Sequence, residues 1–408
     1  MENLRKDAET IARAAIAAVM PDEAVKRALE GMVRPSGRLV LVAVGKAAWQ
    51  MAKAATNVVK PDSGIVITKY DHVMGELPNI ECREAGHPIP DVNSFDATAR
   101  ALDIVGGLGA GDCVLFLLSG GGSALFESPL ISEEELKDIT KQLLASGADI
   151  VEMNTVRKRL SAVKGGRFAL ACKPARIYSI VLSDILGDPL DMIASGPACP
   201  DSSTSEDAFA IVEKYGLRLS DEALRLLGEE TPKALDNVTT VINGSVRELC
   251  RAAEQKCREL GYETVFLSDR ICCEAADAGS FLAAIARSHA GKGRKAAFVA
   301  GGETLVHVRG TGLGGRNQEI ALSAATLLDG LNAAVFSVGS DGTDGPTDAA
   351  GGYADGETLG RLKEKGLDAE KYLANNDAYH ALKAVDSLII TEPTGTNVND
   401  LSVVLVAE

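Results

Sequence analysis

The chain contains 408 residues, of which 46% are hydrophobic and 24% are charged, a composition typical of globular proteins. One hydrophobic core seldom extends over this length, so we expect two domains. The formal net charge of −15 argues against nucleic acids and anionic membranes as partners. The first residues mix both charge signs and no apolar run approaches about 18 residues, which predicts a cytoplasmic protein without signal peptide or membrane span.

The N-terminal part alternates helical and strand patterns. Apolar spacing predicts a helix within residues 1–30 that ends at Pro21. The run RLVLVAV (38–44) predicts a buried strand, followed by Gly45 and an alanine-rich helix, and the same order recurs at 113–126. Such alternation predicts a Rossmann-like parallel sheet with helices on both faces. Ligands on these sheets bind outside the carboxyl ends of the strands, where both glycine loops fall.

The apolar pattern lapses at 228–239, which predicts two domains over 1–235 and 236–408. VTTVING (238–244), a helix and ETVFLSD (263–269) read as a second strand–helix–strand unit. AAFVAGGETLVHVRG (296–310) reads as an antiparallel hairpin with a tight GGE turn. We therefore expect the C-terminal domain to be a smaller α/β domain with a partly antiparallel, mixed sheet.

GTGLGG (310–315) matches the dinucleotide fingerprint GxGxxG and precedes a helix, so a nicotinamide-dependent dehydrogenase is one reading of the sequence. Two features weigh against it. The preceding strand reads as part of a hairpin, and Arg316 follows the loop directly, where it suits a phosphoryl group in transfer better than a cradled pyrophosphate.

SGGGS (119–123) follows a buried strand and opens a helix, an arrangement whose free amides and helix dipole favour an anion. The alternative is a tight turn without a ligand. Lys46 opens the helix after the first strand, where the dipole disfavours a cation. A role towards an anionic ligand explains this lysine.

Aspartates cluster in LSDILGDPLD (182–191) and SDGTDGPTDAAGG (340–352), two loops that follow apolar strands. Asp and Gly are also ordinary turn residues. Because Mg²⁺ takes one or two carboxylates together with phosphate oxygens, Asp188, Asp341 and Asp344 are candidate ligands. Asp184, in the first of these loops, is a candidate catalytic residue. His87, in GHPIPD, reads either as a base or as a packing residue of its loop.

Eight blocks of the chain, in order, resemble the class II glycerate kinase family, which combines a DUF4147 N-terminal domain with a MOFRL C-terminal domain. The blocks are VAVGKAA (42–48), EAGHPIPD (84–91), LSGGGSAL (118–125), NTVRKRLSAVKGGRFA (154–169), LSDILGDPLDMIASGP (182–197), GGETLVHVRGTGLGGRNQEIAL (301–322), SDGTDGPTDAAGG and PTGTNVNDL (393–401). The resemblance implies an interdomain cleft for ATP, Mg²⁺ and D-glycerate, with Lys46 and Arg316 as functional residues. Glu392 and the GPACPD stretch (196–201) depart from the family pattern without removing either residue.

These observations and the resemblance predict a kinase that phosphorylates D-glycerate. Resemblance to the archaeal and animal members of the family favours 2-phosphoglycerate as the product. The alternatives are a kinase giving 3-phosphoglycerate, an NAD(P)H-dependent hydroxypyruvate reductase and a non-catalytic sugar-acid sensor. Small molecules are the expected partners, and a homodimer is the candidate assembly. The candidate nucleotide- and phosphate-binding residues are Ser119, Gly120, Gly121, Gly122, Ser123, Gly314, Gly315, Asn317, Thr396 and Asn397.

Overall fold

The computed structural model describes residues 2–183, 185–187 and 189–408. The chain divides into two compact units, one formed by Ala24–Asn243 and the other by Met1–Glu23 together with Gly244–Glu408. The predicted boundary between residues 235 and 236 stays a prediction. None of the described helices is long and apolar enough to cross a membrane.

The chain begins with two helices, α1 (Glu2–Ala18) and α2 (Pro21–Leu29). The prediction that Pro21 ends the helical segment is therefore wrong, because Pro21 starts α2. Proline is well suited to the first position of a helix, where its missing N–H would have no partner and its φ is already helical.

The Ala24–Asn243 unit is built on a six-stranded sheet in the order β3-β2-β1-β4-β5-β6. The strands are β1 (Leu39–Val44), β2 (Ser63–Lys69), β3 (Ile80–Ala85), β4 (Cys113–Leu118), β5 (Arg176–Leu182) and β6 (Val238–Gly244). Neighbours from β3 to β5 pair in parallel. This is the strand order of a Rossmann fold, so the predicted Rossmann-like parallel sheet is confirmed.

Helices cover both faces of this sheet. On one face, Val42 and Phe116 pack with the helices at Val92–Val105 and Arg167–Ala171, and on the other, Leu41 and Leu115 pack with the helix at Ala48–Val58. The helices of the unit are α3 (Ala48–Val58), α4 (Val92–Val105), α5 (Gly122–Leu125), α6 (Glu133–Ala145), α7 (Ile150–Arg159), α8 (Arg167–Ala171), α9 (Ser205–Tyr215) and α10 (Asp221–Leu227), with a 3-10 turn at Ile193–Ser195. Because β1 and β4 are buried on both faces, they read in the sequence as continuous apolar runs.

The other unit contains a second six-stranded sheet in the order β11-β10-β9-β12-β8-β7. Its strands are β7 (Glu263–Ile271), β8 (Ala296–Gly302), β9 (Ala333–Gly339), β10 (Gly351–Asp355), β11 (Leu388–Ile389) and β12 (Asp400–Val406). β7 and β8 are parallel and the remaining pairs are antiparallel. The predicted mixed α/β architecture of this part is thus confirmed.

Six helices accompany the second sheet, and the N-terminal helix joins them. They are α11 (Val246–Glu259), α12 (Ala275–His289), α13 (Arg316–Leu328), α14 (Thr358–Glu364), α15 (Ala369–Ala374) and α16 (Ala378–Ala384). Helix α1 is tied in by Arg5, which donates to the carbonyl of Leu388 at 2.7 Å, and by Asp7, which accepts from the Tyr262 hydroxyl at 2.7 Å. The second unit is therefore assembled from both ends of the chain.

Two sequence predictions about strand pairing are wrong. β6 is the edge strand of the first sheet and β7 lies in the second, so they do not form one strand–helix–strand unit. The predicted hairpin at 296–310 is absent from the described chain, because β8 already pairs with β7 on one side and β12 on the other. The segment after Gly302 therefore has no free strand edge to fold back on, and Leu305 and Val308 are exposed.

Candidate functional site

The first candidate region lies at the carboxyl ends of β1 and β4, where the strand order of the first sheet reverses direction. Such a reversal creates the crevice in which open α/β sheets bind ligands. Gly45 has φ +121°, and a Cβ atom there would lie 2.3 Å from Ser119 Oγ. The amide of Lys46 donates to the Gly120 carbonyl at 2.8 Å, and the amide of Ala47 donates to Ser119 Oγ at 3.1 Å. These contacts interlock the two glycine loops.

The glycines of SGGGS are explained first by contacts within the chain. Gly121 has φ +87°, and a Cβ atom there would lie 3.0 Å from His87 Cδ2 and 3.2 Å from Lys46 Cγ. A Cβ atom on Gly122 would lie 2.6 Å from the Cβ of Ala194. The bare backbone is thus required by the packing of neighbouring loops, whether or not a ligand binds.

Four amides of the same loop nevertheless have no partner in the part of the chain that the structure describes. Among the described residues, no partner accepts a hydrogen bond from the amides of Gly120, Gly121, Gly122 or Ser123. The Lys46 ammonium likewise forms no ion pair or hydrogen bond within the described chain. Free amides beside an unpaired cation form a surface that suits an anion.

Buried charges hold the loop from beneath. Lys164 is fully buried and donates to the carbonyls of Ser123 and Phe126 at 2.9 and 3.0 Å. Its ammonium lies 3.3 Å from Glu127, and Arg157 also donates to the Ser123 carbonyl, at 3.4 Å. Burial lowers the pKa of Lys164 to about 8, against the opposing effect of Glu127. The Ser123 carbonyl of the loop is therefore bonded by two cations of the core, whereas four amides of the loop have no partner among the described residues.

A left-handed turn supports the loop from the side. Ala194 and Ser195 have φ +51° and +62°, a conformation that costs non-glycine residues about 1–3 kcal/mol each. The Ser195 hydroxyl lies 3.2 Å from Ser123 Oγ and donates to Asn154 Oδ1 at 2.8 Å. Backbone strain of this kind persists where surrounding contacts hold the residue in place. Here one of those contacts joins Ser195 to Ser123 of SGGGS.

The first aspartate loop, 182–191, lies partly outside the described residues. Asp184 and Asp188, predicted as catalytic residue and magnesium ligand, lie outside the described residues. At the end of the loop, Asp191 forms an ion pair with Lys158 at 3.3 Å, and Lys158 also pairs with Asp201 at 3.0 Å. Asp191 thus joins a buried ion-pair network.

The second candidate region lies on the second sheet, where β8 and β9 end and β12 begins. Asp400 is only 4% exposed and pairs in register with Gly302 and Gly339. It accepts hydrogen bonds from Nε and Nη2 of Arg316, the latter at 3.2 Å, while Arg316 Nη1 donates to Glu303 at 3.2 Å. Sequence reasoning identified Arg316 but missed Asp400, although Asp400 lies within the PTGTNVNDL block.

Burial and ion pairing shift the pKa values of Arg316 and Asp400 in opposite directions. Burial lowers the pKa of Arg316, but the hydrogen bond to Asp400 and the negative charges of Asp400, Glu303 and Asp344 together raise it by more, so the guanidinium stays charged. Burial raises the pKa of Asp400, and the bond from Arg316 offsets this only in part. The guanidinium is therefore fixed in orientation by a carboxylate, with about a third of its side chain exposed.

The N-terminus of α13 is already occupied by a carboxylate of the chain. Asp344 accepts from the amides of Asn317 and Gln318 at 3.1 and 2.8 Å and from the Asn317 side chain at 3.2 Å. Burial raises the pKa of Asp344 to about 6, although these amides lower it. A pyrophosphate at this helix end would have to displace Asp344, which removes the structural basis of the dinucleotide reading.

The glycines of GTGLGG also face their own chain. A Cβ atom on Gly310 would lie 2.4 Å from the Asn375 carbonyl oxygen, and one on Gly312 would lie 2.3 Å from the Cβ of Asp377. A Cβ atom on Gly315 would lie 2.3 Å from Oδ1 of Asp344. One on Gly314 would lie 3.3 Å from the Ala378 nitrogen, so Gly314 is less tightly packed. The predicted phosphate contacts of Gly314, Gly315 and Asn317 stay predictions.

The remaining predicted residues lie in loops at the same sheet edge. Asp341 accepts from the Thr343 amide at 3.0 Å through one carboxylate oxygen. Thr396 is buried and its hydroxyl donates to the Val19 carbonyl at 3.0 Å, while Asn397 accepts from the Asn399 amide at 3.3 Å. In the part of the chain that the structure describes, no group of three or more His, Cys, Asp or Glu side chains is arranged to hold a metal ion.

Comparison with known proteins identifies the family. Residues 7–228 match the model of a domain of unknown function, DUF4147, and residues 296–400 match the MOFRL family. The chain is 52% identical to a D-glycerate 2-kinase from Thermotoga maritima over 99% of both chains. The chain belongs to the class II glycerate kinase family. The resemblance inferred from the sequence blocks is thus confirmed, and with it the prediction that the chain is a kinase.

Two further proteins are similar to this chain over nearly its whole length. The crystal structure of a glycerate kinase from Thermotoga maritima superimposes with a TM-score of 0.95 at 50% identity, covering 100% of both chains. A protein from Agrobacterium vitis named putative hydroxypyruvate reductase is 40% identical, over 96% of this chain and 92% of its own length. A relative at this level of identity thus carries the name of a different activity.

Proposed function

We propose that this class II glycerate kinase transfers the γ-phosphoryl group of ATP to D-glycerate and forms 2-phosphoglycerate. The observation that carries the proposal is the 52% identity to a D-glycerate 2-kinase over nearly the whole of both chains. The two candidate regions supply chemistry suited to this reaction. Phosphoryl transfer is catalysed chiefly by positioning and by neutralising charge, and each region presents a cation beside loops at a sheet edge.

The phosphate-binding part of the proposal rests on the loop SGGGS and on Lys46. Four successive amides and one ammonium lack partners in the described chain, so phosphate or carboxylate oxygens can be bound without breaking an existing contact. Lys46 has no partner among the described residues although the chain carries a net charge of −15. We assign Ser119, Gly120–Gly122 and Ser123 to anion binding and Lys46 to charge stabilisation.

Arg316 is assigned to a second anionic group of the reactants. Asp400 orients its guanidinium, whose planar fork suits a carboxylate or a phosphoryl group. We propose that one reaction uses residues of both units, as the predicted interdomain cleft implies. A double-mutant cycle with Lys46→Ala and Arg316→Ala supports this if the two losses in kcat/KM are not additive.

Magnesium is part of the proposal because kinases act on nucleotide bound to this ion. Asp341 fits a ligand role, since one of its oxygens has no partner among the described residues. Asp344 fits less well, because both of its oxygens already accept hydrogen bonds from α13. When bound, Mg²⁺ neutralises charge on the phosphates. The cytoplasmic location and the homodimer stay predictions.

The product distinguishes the proposal from its alternatives. The purified chain is incubated with ATP, Mg²⁺ and D-glycerate, and the product is identified by ³¹P NMR and by coupling to enolase with and without phosphoglycerate mutase. Product consumed by enolase alone supports the 2-kinase, whereas a requirement for the mutase identifies a 3-kinase. NADH oxidation with hydroxypyruvate, without ADP release from ATP and glycerate, contradicts the kinase and favours the reductase.

A further inference from the structure

His87 lies at the same edge of the first sheet as SGGGS, two residues after β3. A Cβ atom on Gly121 would lie 3.0 Å from His87 Cδ2, 3.1 Å from His87 Nε2 and 3.2 Å from Lys46 Cγ. One edge of the imidazole, carrying Nε2, therefore packs over Gly121 next to the lysine side chain. The ring thus lies against Gly121, one of the four residues whose amides have no partner among the described residues.

The hydrogen-bonding state of His87 differs from that of three other histidines, whereas Nδ1 of the fifth, His289, is buried and also lacks a hydrogen-bond partner among the described residues. His307 pairs with Glu274, His380 pairs with Asp377, and His72 is 3.2 Å from the carbonyl of Tyr70. His87 makes no hydrogen bond or ion pair in the described part of the chain. Both ring nitrogens are therefore available to a substrate.

The surroundings of His87 favour the neutral imidazole. Burial lowers its pKa, and the positive charges of Lys46 and Lys69 lower it further. The two carboxylates nearest in sequence have other partners. Glu84 accepts hydrogen bonds from the amides of His72 and Val73, and Asp91 accepts from the Gly86 amide, Tyr70 and Ser94. A histidine held neutral near pH 7 has a nitrogen lone pair that can accept a proton.

We propose that His87 is a catalytic residue that accepts the proton of the glycerate hydroxyl during phosphoryl transfer, an inference that rests on the proposed kinase function. The hydroxyl O–H bond breaks and its proton passes to the imidazole, on Nε2. The hydroxyl oxygen forms a bond to the γ-phosphorus of ATP. The bond from that phosphorus to the bridging oxygen breaks, and ADP leaves with the electron pair.

A base and a phosphate-binding residue differ in the kinetic constant that a substitution of His87 changes. A base of this kind contributes about 10²–10⁴-fold to the rate of the chemical step and little to nucleotide binding. A histidine that only donates a hydrogen bond to a phosphate would instead alter the KM for ATP. A base also produces an acid limb in the pH profile of kcat/KM, because protonated His87 cannot accept a proton.

The test compares His87→Gln with His72→Gln, a control histidine that is bonded to the backbone rather than placed over Gly121. We expect His87→Gln to lower kcat by about 10²-fold, to leave the KM for ATP within a few-fold and to abolish the acid limb of kcat/KM. We expect His72→Gln to leave all three unchanged. An acid limb that persists in His87→Gln but disappears in Asp184→Asn overturns the proposal.

A second measurement does not depend on turnover. The imidazole signals of His87, assigned from their loss in His87→Gln, should shift when D-glycerate is added to the wild-type protein with ADP and Mg²⁺. Unmoved signals overturn the proposed contact with substrate even if the chain proves to be a glycerate kinase. A wild-type protein that shifts these signals but releases no ADP from ATP contradicts the kinase function instead.

Discussion

Replacing Asp400 by asparagine tests whether a buried carboxylate sets the position of Arg316. The side chain keeps its size, but it loses its charge and one of its two acceptor oxygens. Asp400 is 4% exposed and bonds both Nε and Nη2 of Arg316. In the variant, one of these N–H groups faces an amide N–H group and has no acceptor.

The expected loss follows from that geometry. A hydrogen bond to a charged group contributes about 1.5–3 kcal/mol, and an arginine released from one of two such bonds is no longer held in a single orientation. If Arg316 stabilises charge in the transition state, kcat/KM should fall by about 10²-fold, which corresponds to about 2.7 kcal/mol. Stability should fall by less than this, because burial raises the pKa of Asp400 and so already disfavours its charge in the folded state.

Glu303→Gln is the matched control. Glu303 contacts the same guanidinium through a single hydrogen bond at 3.2 Å, but its side chain is 46% exposed. Exposed ion pairs contribute at most about 1 kcal/mol, so we expect no more than about a fivefold loss. Steady-state kinetics and thermal melting are measured for both variants. Equal losses in the two, or near-normal turnover in Asp400→Asn, would refute the positioning role of Asp400.

Two further outcomes are expected. Lys46→Ala should reduce kcat by on the order of 10²–10³-fold with little change in melting temperature, because Lys46 has no partner in the described chain; normal turnover with a lower melting temperature would make it structural. The pKa of Asp344 is raised to about 6, so the folded state binds more protons than the unfolded state between about pH 4 and 6, and stability falls as pH rises through this window. Between pH 4 and 6, the free energy of unfolding measured in urea should fall by about 3 kcal/mol less in Asp344→Asn than in the wild-type protein. Identical slopes of this free energy against pH would contradict the assignment.

The parts of the fold that could be predicted from the sequence are those whose burial leaves a simple pattern. β1 and β4 are enclosed on both faces and read as unbroken apolar runs. β3 is only partly buried and reads as IECREA, a mixture without a run, so it escaped prediction. β10 escaped as well, because its first residues are two glycines that read as the end of a loop.

The candidate site was predictable where local chemistry broke a local rule. Lys46 before a helix and three successive glycines after a strand are unfavourable choices that call for an explanation. Asp400 breaks no such rule, since an aspartate after Asn399 is typical of a turn. Its importance follows from its contact with Arg316, 84 residues away in the sequence. Contacts over such separations are set by the pairing of β12 with β8 and β9 and leave no trace in local spacing.

The membership of helix α1 in the second unit has a consequence for biosynthesis. Leu4, Ala8 and Ile11 are buried, and Arg5 bonds a carbonyl that the ribosome produces nearly four hundred residues later. The intervening unit, Ala24–Asn243, can fold while the chain is still being synthesised, whereas α1 must wait with its apolar face uncovered. A fragment made from Gly244–Glu408 alone would lack this helix and expose the surface that it covers. Expression of this half as an independent domain should therefore retain residues 1–23, for example through a linker or by circular permutation.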